Sequence, residues 1–275
     1  MNRLMIDSAK WIFGRLGLEV HRAIPTDHFD WQRAFHGFEG TAAPPQINSN
    51  PLREFFDSRK QGPGIWKWNH YFDIYDRHFR RFRGQEVCVL EIGIYSGGSL
   101  EMWHEYFGPK AHIYGVDIES ACRAYDSDSV KIFIGDQADR MFWREFRRKV
   151  PALDIVIDDG GHQPKQQIVS LEELFPFLRP SGVYLCEDVH GTVNDFASYI
   201  HDLGHKLNDS SRWRDFPDDN ERRAICDCTP FQTAVGSIHL YPFVCVLEKN
   251  TSKVTELVAP KHGSQWQPFS LSKDS

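Results

Sequence analysis

The segment Val87-Cys88-Val89-Leu90-Glu91-Ile92-Gly93 is a short apolar run that ends at an acid and leads into the loop Ile94-Tyr95-Ser96-Gly97-Gly98-Ser99. Beyond the loop, Leu100, Trp103 and Phe107 recur at helical spacing. A strand, a glycine loop and an amphipathic helix in this order are typical of the first unit of an α/β domain. Glycines in such a loop let the backbone approach a ligand closely where the helix begins.

The same alternation continues along the chain and predicts a parallel sheet. Apolar runs at 112–116, 130–134, 153–157 and 183–186 predict four more strands. Helices are predicted around 140–149 and over Ile168, Leu171, Phe175 and Leu178, the second ended by Pro180 and Gly182. Runs at 235–240 and 244–248 predict a closing antiparallel pair. The expected fold class is therefore α/β, with a doubly wound, mostly parallel, Rossmann-like sheet.

The N-terminal third has a different composition and predicts a helical extension. Residues 1–18 are amphipathic, 19–66 are rich in Pro and Gly without a period, and aromatic residues from Trp68 to Phe82 recur as a helical stripe of core type. We expect an N-terminal helical or lid extension over 1–84, a main domain over 85–250 and a tail over 251–275. The polar stretch 205–233 is a second candidate lid.

The composition of the chain limits the classes of binding partner that we expect. The formal net charge of −6 provides no global basic field for nucleic acid, and no apolar run reaches the roughly 20 residues of a membrane span, so we expect neither nucleic acid nor stable membrane insertion. The six cysteines are scattered, which favours a reducing cytoplasm. A zinc site from Cys226, Cys228, His239 and Cys245 is a weaker alternative because the C-x-C spacing is poor. The N-terminal helix is a candidate contact of a homo-oligomer.

Acidic residues follow all five predicted parallel strands. These residues are Glu91, Asp117, Asp136, the pair Asp158-Asp159 and the pair Glu187-Asp188. The carboxyl ends of parallel strands form the ligand crevice of a doubly wound sheet, so these acids predict a cationic or polyhydroxylated ligand or a metal. Asp117 stands where an acid accepts both ribose hydroxyls of an adenosine-containing cofactor. The glycine spacing is not G-x-G-x-x-G, which disfavours a nicotinamide cofactor.

Three of these acids predict a metal site. Asp159, Glu187 and Asp188 follow two strands expected to be neighbours, and converging carboxylates repel unless a cation such as Mg²⁺ or another divalent ion neutralises them. His162 follows Asp159 across two glycines and can act as a base on a hydroxyl acidified by that ion. The alternative is structural: a capping aspartate, a hydrogen-bonded histidine and a solvated Glu-Asp pair.

At these residues the sequence resembles class I S-adenosylmethionine-dependent methyltransferases. The resemblance covers about 85–189 and is carried by 89–93, 114–117, 135–137, Asp158-Asp159-Gly160-Gly161-His162 and Glu187-Asp188, with echoes in the closing strands. The most similar group is the metal-dependent sugar O-methyltransferases of macrolide biosynthesis, with related cephalosporin-tailoring proteins. Gly161 departs from the serine that this group usually carries.

The resemblance implies a role for each site residue. Glu91 and Gly93 would line the methionine and ribose part of S-adenosylmethionine, Asp117 would bind its ribose, and Asp136 with Gln137 would lie near its adenine; Ser99 and Asp158 are further candidate cofactor contacts. Asp159, Glu187 and Asp188 would hold Mg²⁺, and His162, with Asp159, would be catalytic. The function implied is O-methylation of a hydroxylated small molecule, a sugar or glycosylated natural product. Metal-independent methylation and a non-catalytic cofactor-binding protein remain alternatives.

Overall fold

The computed structural model describes residues 49–191, 193–209, 213–215, 223–260 and 262–263, which belong to one compact unit. The helix predicted over 1–18 and most of the irregular stretch 19–66 lie outside the described residues. Within the described part of 19–66, residues Pro51–Ser58 form a helix, α1, where the sequence predicts none. Asn50 explains it, since its side chain accepts hydrogen bonds from the Leu52 and Arg53 amides and a proline follows at the first helical position.

The centre of the unit is a seven-stranded sheet in the order β3-β2-β1-β4-β5-β9-β8. Its first five strands are parallel, while β9 runs antiparallel to β5 and to β8. The strands are β1 (Cys88–Ile92), β2 (His112–Asp117), β3 (Val130–Ile134), β4 (Leu153–Asp158), β5 (Leu178–Cys186), β8 (Val235–Tyr241) and β9 (Val244–Lys249). The mostly parallel, doubly wound sheet and its closing antiparallel pair are as predicted.

Helices cover both faces of the sheet. They are α2 (Tyr71–Phe79), α3 (Gly98–Phe107), α4 (Arg140–Lys149), α5 (Pro164–Leu174), α6 (Asp195–Leu207) and α7 (Pro230–Ala234), with a 3₁₀ turn at Arg80–Phe82. Alternate residues of each strand point to opposite faces, so Val89 and Ile155 pack with α2 and α3 while Leu90 and Val156 pack with α4 to α6. The predicted aromatic stripe lies in the first of these two cores through Phe72 and Phe79.

The boundary between helix α5 and strand β5 differs from the prediction. Helix α5 ends at Leu174, and Leu178 already belongs to β5, which begins five residues before the predicted 183. Pro176 lacks the amide that would continue the helical hydrogen bonds, which explains the early end. Leu178 then pairs with Leu153, and the register shifts before Val183 pairs with Ile155.

A small antiparallel sheet follows α6 in the polar stretch predicted as a candidate lid. Its order is β10-β7-β6, with β6 at Trp213–Asp215, β7 at Arg223–Asp227 and β10 at Glu256–Pro260. Residues 251–275, predicted as a tail, thus contribute one strand to it. In the part of the chain that the structure describes, no helix is both long and apolar enough to cross a bilayer.

Candidate active site

The register of the parallel strands brings the predicted acids to one edge. Ile92 is opposite both Val116 and Asp158, and Asp158 is opposite Cys186. The hydrogen-bond ladder continues one residue past the strands, from the Asp159 amide to the Ile92 carbonyl (3.0 Å) and from the Glu187 amide to the Asp158 carbonyl (2.9 Å). The residues just after β1, β4 and β5 are therefore held by backbone hydrogen bonds.

Gly93 lets the loop after β1 cross closely over the turn after β4. Its φ is +86°, and a Cβ at this position would lie 2.0 Å from the Asp159 carbonyl oxygen. Only a residue without a side chain satisfies both constraints. The glycine that the sequence analysis assigned to cofactor binding thus also fixes the distance between the cofactor loop and the Asp159 turn.

Lys67 lies at the centre of the acids, although no pattern in the sequence predicts this. Its ammonium Nζ is 2.5 Å from Asp159 Oδ2, 3.1 Å from both carboxylate oxygens of Glu187 and 3.6 Å from Glu91 Oε1. The Lys67 side chain is 3% exposed. Glu187 also accepts a 2.7 Å hydrogen bond from the Tyr75 hydroxyl. The Glu187 carboxylate, expected to bind a metal, therefore already has a cation and a hydroxyl donor.

Burial and charge set the protonation of this group. Burial by itself lowers the pKa of Lys67, but the charges of Asp159, Glu187 and Glu91 outweigh it and hold that pKa well above its ordinary value. Burial, and then the Asp159 charge, raise the pKa of Glu187 well above its usual range, against the opposing effect of Lys67. Lys67 is thus a permanent internal cation among three acids.

Asp159, His162 and Asp188 form a second, more open group beside Lys67. One ligand atom from each lies within 4.8 Å of the other two. His162 Nε2 is 3.7 Å from Asp188 Oδ2 and 4.0 Å from Asp159 Oδ1. The other Asp188 oxygen, Oδ1, accepts hydrogen bonds from the Tyr71 hydroxyl (2.7 Å) and the Trp68 indole (3.1 Å). Two carboxylate oxygens and one imidazole nitrogen therefore face a common point.

Both His162 and Asp188 have left-handed backbone conformations, with φ of 55° and 53°. Non-glycine residues adopt this region at a cost, and such conformations concentrate at functional sites. His162 and Asp188 belong to different loops, yet both have this backbone conformation and their side chains approach each other. The local backbone is thus organised around the group of Asp159, His162 and Asp188.

Gln137 and Asp158, expected among the cofactor contacts, are buried beneath the turn that carries His162. The Gln137 amide donates to Asp158 Oδ1 (3.0 Å) and Ser170 Oγ (3.1 Å), and its oxygen accepts from the Gly161 amide (2.7 Å). Asp158 also accepts from the Tyr184 hydroxyl (2.6 Å), while burial raises its pKa to about 6. In this structure both side chains support the turn. The space beside Gly161 is filled by the Gln166 side chain.

The other predicted cofactor residues lie around the first loop. Ser99 donates a 2.7 Å hydrogen bond to Glu91 Oε2, and burial raises the pKa of Glu91. Asp117 Oδ2 accepts from the Ile94 and Tyr95 amides at 2.8 and 3.1 Å, which ties the loop to the end of β2. Asp136 accepts from the Ala138 amide (2.7 Å) just after β3. Glu91 thus lies near the end of β1, Asp117 ends β2 and Asp136 follows β3, while Ser99 lies in the first turn of α3.

A second polar cluster lies where α2 meets β8 and β9. His78 Nδ1 is 3.0 Å from Glu248 Oε1, His78 Nε2 is 2.9 Å from the Tyr241 hydroxyl, and Arg81 also binds Glu248. His239 lies against His78, with ring centroids 4.7 Å apart. Among the described residues, no cysteine belongs to a group of side chains close enough together to bind one metal ion. The alternative zinc site of His239 with three cysteines is therefore not formed in this part of the chain.

The fold and this edge have the arrangement of class I S-adenosylmethionine-dependent methyltransferases, and the relatives of the chain place it in that family. A mostly parallel seven-stranded sheet ends in an antiparallel pair, and a glycine loop after β1 stands beside an acid at the end of β2. No family model matches the chain.

Comparisons with known proteins place its homologues among sugar O-methyltransferases of natural-product biosynthesis. The chain is 36% identical to demethylmacrocin O-methyltransferase of Streptomyces fradiae over 77% of its length and 55% of the relative's. It is 43% identical to mycinamicin VI 2''-O-methyltransferase of Micromonospora griseorubida over 44% and 32%. The chain thus spans about half, or less, of the curated relatives it matches.

A solved structure agrees with these relatives. The MycE methyltransferase of the mycinamycin biosynthetic pathway, in complex with Mg and S-adenosylhomocysteine, superposes with a TM-score of 0.58 at 29% identity. The match covers 73% of this chain and 54% of that one. Another structure of the same enzyme also contains mycinamycin VI and superposes with a TM-score of 0.57.

Proposed function

We propose that this protein is an S-adenosylmethionine-dependent, Mg²⁺-assisted O-methyltransferase that acts on a hydroxyl of a sugar or glycosylated natural product. The observation that carries the proposal is the convergence of Asp159, His162 and Asp188 at the edge where the cofactor loop also ends. The demethylmacrocin and mycinamicin VI enzymes support the acceptor class.

The residues after β1 and β2 fit the cofactor. Glu91 Oε1 is a buried carboxylate oxygen without a hydrogen-bond partner among the described residues, which suits an amino group such as that of S-adenosylmethionine. Asp117 stands at the end of β2, where ribose hydroxyls bind in sheets of this kind. When bound, the cofactor supplies the methyl group on a sulfonium. Glu91, Gly93, Ser99 and Asp117 would hold it, with Asp136 beside the adenine.

The donor set of the open group fits Mg²⁺. Asp159 and Asp188 offer hard carboxylate oxygens, Oδ1 and Oδ2, on the side that faces His162. Glu187 could act as a ligand of the ion only if its carboxylate contacted the ion and Lys67 at the same time. When bound, the ion supplies positive charge that acidifies a nearby hydroxyl. Asp159 and Asp188 would hold it.

His162 is proposed as the general base. Its Nε2 faces the acids, whereas its buried Nδ1 has no hydrogen-bond partner among the described residues. The imidazole takes the proton of the acceptor hydroxyl as the oxygen forms its bond to the methyl carbon. The methyl group would come from the sulfonium, whose carbon–sulfur electron pair would stay on sulfur, so that S-adenosylhomocysteine would be the second product. Asp188 orients the imidazolium that results.

Three further expectations complete the proposal. We propose that residues 85–250 form the methyltransferase domain with 1–84 as its N-terminal helical extension, that the polar stretch 205–233 contributes a lid, and that the enzyme works in the cytoplasm as a homo-oligomer on a small-molecule acceptor. Nucleic acid is not proposed as a partner, since the net charge is −6.

A metal-independent O-methyltransferase is the second candidate, and Lys67 favours it. Its ammonium already supplies positive charge between Asp159 and Glu187. In such an enzyme Lys67 would neutralise the acids and His162 alone would activate the hydroxyl.

Transfer of radiolabelled methyl from S-adenosylmethionine to demethylmacrocin, with and without a chelator, tests the proposal. We expect chelator to abolish transfer and added Mg²⁺ to restore it, and we expect His162→Ala to be inactive while still binding S-adenosylhomocysteine. Full activity in excess chelator would establish the second candidate. Transfer by His162→Ala at the unmodified rate would remove the proposed base.

A further inference from the structure

Two exposed aromatic side chains flank the Asp188 side of the proposed active site. Trp68 is 53% exposed and Phe243 is 38% exposed. Their ring centroids are 5.7 Å apart and their planes are inclined by 52°. They come from the segment before α2 and from the turn between β8 and β9, so the tertiary fold brings them together. The two rings therefore present an apolar surface to a ligand at this side of the proposed active site.

Trp68 is attached directly to the reaction centre. Its indole Nε1 donates to Asp188 Oδ1 (3.1 Å), and the other oxygen of the same carboxylate is 3.7 Å from His162 Nε2. The hydrogen bond fixes the ring orientation, so its exposed face is preorganised beside the proposed base. A molecule resting on this face would have its edge within reach of Asp188 and His162.

Phe243 is held in place by its backbone. Its φ is +63°, its carbonyl accepts from the Val189 amide (2.9 Å), and the neighbouring Pro242 carbonyl is 3.0 Å from His70 Nε2. A phenylalanine in the left-handed region costs conformational energy. The turn bears this cost and still leaves the ring more than one-third exposed, although a buried ring would stabilise the fold more.

An exposed indole face next to polar groups suits a pyranose ring. The Trp68 and Phe243 rings are in contact at a 52° inclination, so a ligand meets their exposed faces beside the polar groups of Asp188 and His162. A sugar chair has an apolar face of C–H groups that packs on an indole, and equatorial hydroxyls at its rim. Asp188 and His162 supply the acceptors that those hydroxyls need.

We propose that Trp68 and Phe243 form the subsite for the acceptor sugar, in which the C–H face of a pyranose stacks on the Trp68 indole and one rim hydroxyl is directed to His162. The inference rests on the proposed function and adds the residues that select the acceptor. Trp68 is the main platform, because it is the larger and more exposed ring and also contacts Asp188.

Saturation-transfer NMR on the full chain, loaded with S-adenosylhomocysteine and Mg²⁺, tests the subsite. The probe is methyl α-L-rhamnopyranoside, since a relative from Streptomyces olivaceus acts on a rhamnosyl tetracenomycin. We expect saturation at the ring C–H protons, a roughly ten-fold weaker affinity in Trp68→Ala, and an intermediate value in Trp68→Phe. Trp66→Ala is the matched control, because Trp66 is 87% exposed two residues away; it should bind as the unmodified chain does.

The outcomes separate the subsite from the reaction. Equal binding by Trp68→Ala and Trp66→Ala, stronger saturation of catechol than of the rhamnoside, or no rhamnoside binding overturns the subsite. Trp68-dependent binding without methyl transfer to any glycoside supports the subsite and contradicts the proposed function. Methyl transfer whose KM is the same in Trp68→Ala and in the unmodified chain supports the proposed function and contradicts the subsite. Circular dichroism of each variant confirms that the fold is retained.

Discussion

The Lys67 ammonium lies 3.1 Å from both carboxylate oxygens of Glu187, in a contact that joins residues 120 positions apart. Lys67 precedes α2, whereas Glu187 directly follows β5. Both side chains are almost fully buried. A buried ion pair of this kind makes the loss of either partner costly, because the remaining charge has no solvent to stabilise it.

The first prediction concerns this pair. Lys67→Met should lower the free energy of unfolding by about 3–5 kcal/mol, since Glu187 and Glu91 lose their buried cation. Urea unfolding monitored by tryptophan fluorescence measures the change. The double variant Lys67→Met/Glu187→Gln should recover part of the loss, because it removes both charges. Strictly additive effects in this cycle would show that the two groups do not interact.

Tyrosine hydroxyls give a second test with an internal control. Tyr71→Phe removes the 2.7 Å donor to Asp188, and Tyr106→Phe removes a comparable 2.8 Å donor to Asp76, outside the site. Each should cost about 1–3 kcal/mol of stability, because the acceptor is a carboxylate. Only Tyr71→Phe should also lower the rate of methyl transfer and weaken Mg²⁺ binding, measured by calorimetry. Equal effects on Mg²⁺ affinity would argue against a role for Tyr71 at the site.

Asp159 and Asp188 are the proposed ligands of the ion. Replacing Asp188 should therefore weaken Mg²⁺ binding more than replacing its neighbour Glu187. Asp188→Asn should weaken Mg²⁺ binding at least ten-fold, since it replaces a carboxylate that faces His162. Glu187→Gln should have a smaller effect on Mg²⁺ affinity, because Glu187 faces Lys67 and Tyr75. Calorimetry on the metal-free protein measures both. A larger loss in Glu187→Gln would make Glu187 a principal ligand, as the sequence resemblance implied.

Glycine positions supply a fourth prediction. Gly93→Ala should destabilise the protein by more than about 3 kcal/mol, because its Cβ would lie 2.0 Å from a backbone oxygen in addition to the strain of φ +86°. Gly84→Ala is the control, as φ is +72° there but nothing lies within 4 Å of the added Cβ. It should cost only about 1 kcal/mol. Similar melting temperatures for the two variants would be inconsistent with the close crossing at Asp159.

A pH-dependent contribution should come from Glu248. The hydrogen bond to His78 and the contact with Arg81 lower its pKa to about 2. A carboxyl whose pKa is depressed on folding stabilises the protein above its unfolded pKa and loses that contribution as the pH falls to the folded value. The difference in unfolding free energy between the unmodified chain and Glu248→Gln should therefore be about 1–2 kcal/mol at pH 6 and shrink between about pH 4.5 and pH 2. A constant difference over that range would contradict this origin.

The sequence predicts the sheet well because its signals are local. Strand β3 and helix α4 coincide with their predicted limits, and the acids follow the strands as expected. The strand edge thus brings together Asp159, His162 and Asp188 from spacing and topology alone.

The rest of the site depends on contacts that no local pattern encodes. Lys67 stands between the irregular stretch 19–66 and the aromatic stripe that begins at Trp68, and its partners are 92 and 120 residues away. Tyr71 and Tyr75 belong to an aromatic stripe that reads as core, and their rings are indeed buried, so only their hydroxyls reveal the link to the acids. The family resemblance implies that Gln137 lies near the adenine, yet its amide is directed inward.

Helix α2 carries Tyr71, Tyr75 and His78 at positions that reach Asp188, Glu187 and Glu248. This helix of two and a half turns, encoded before the sheet begins, thereby sets the orientation of two acids in the loop after β5 and of one acid on β9. Transplanting only the segment 85–250 into a related enzyme would separate these carboxylates from their donors. A chimera should accordingly acquire the acceptor preference of a relative only when helix α2 is transplanted together with the sheet.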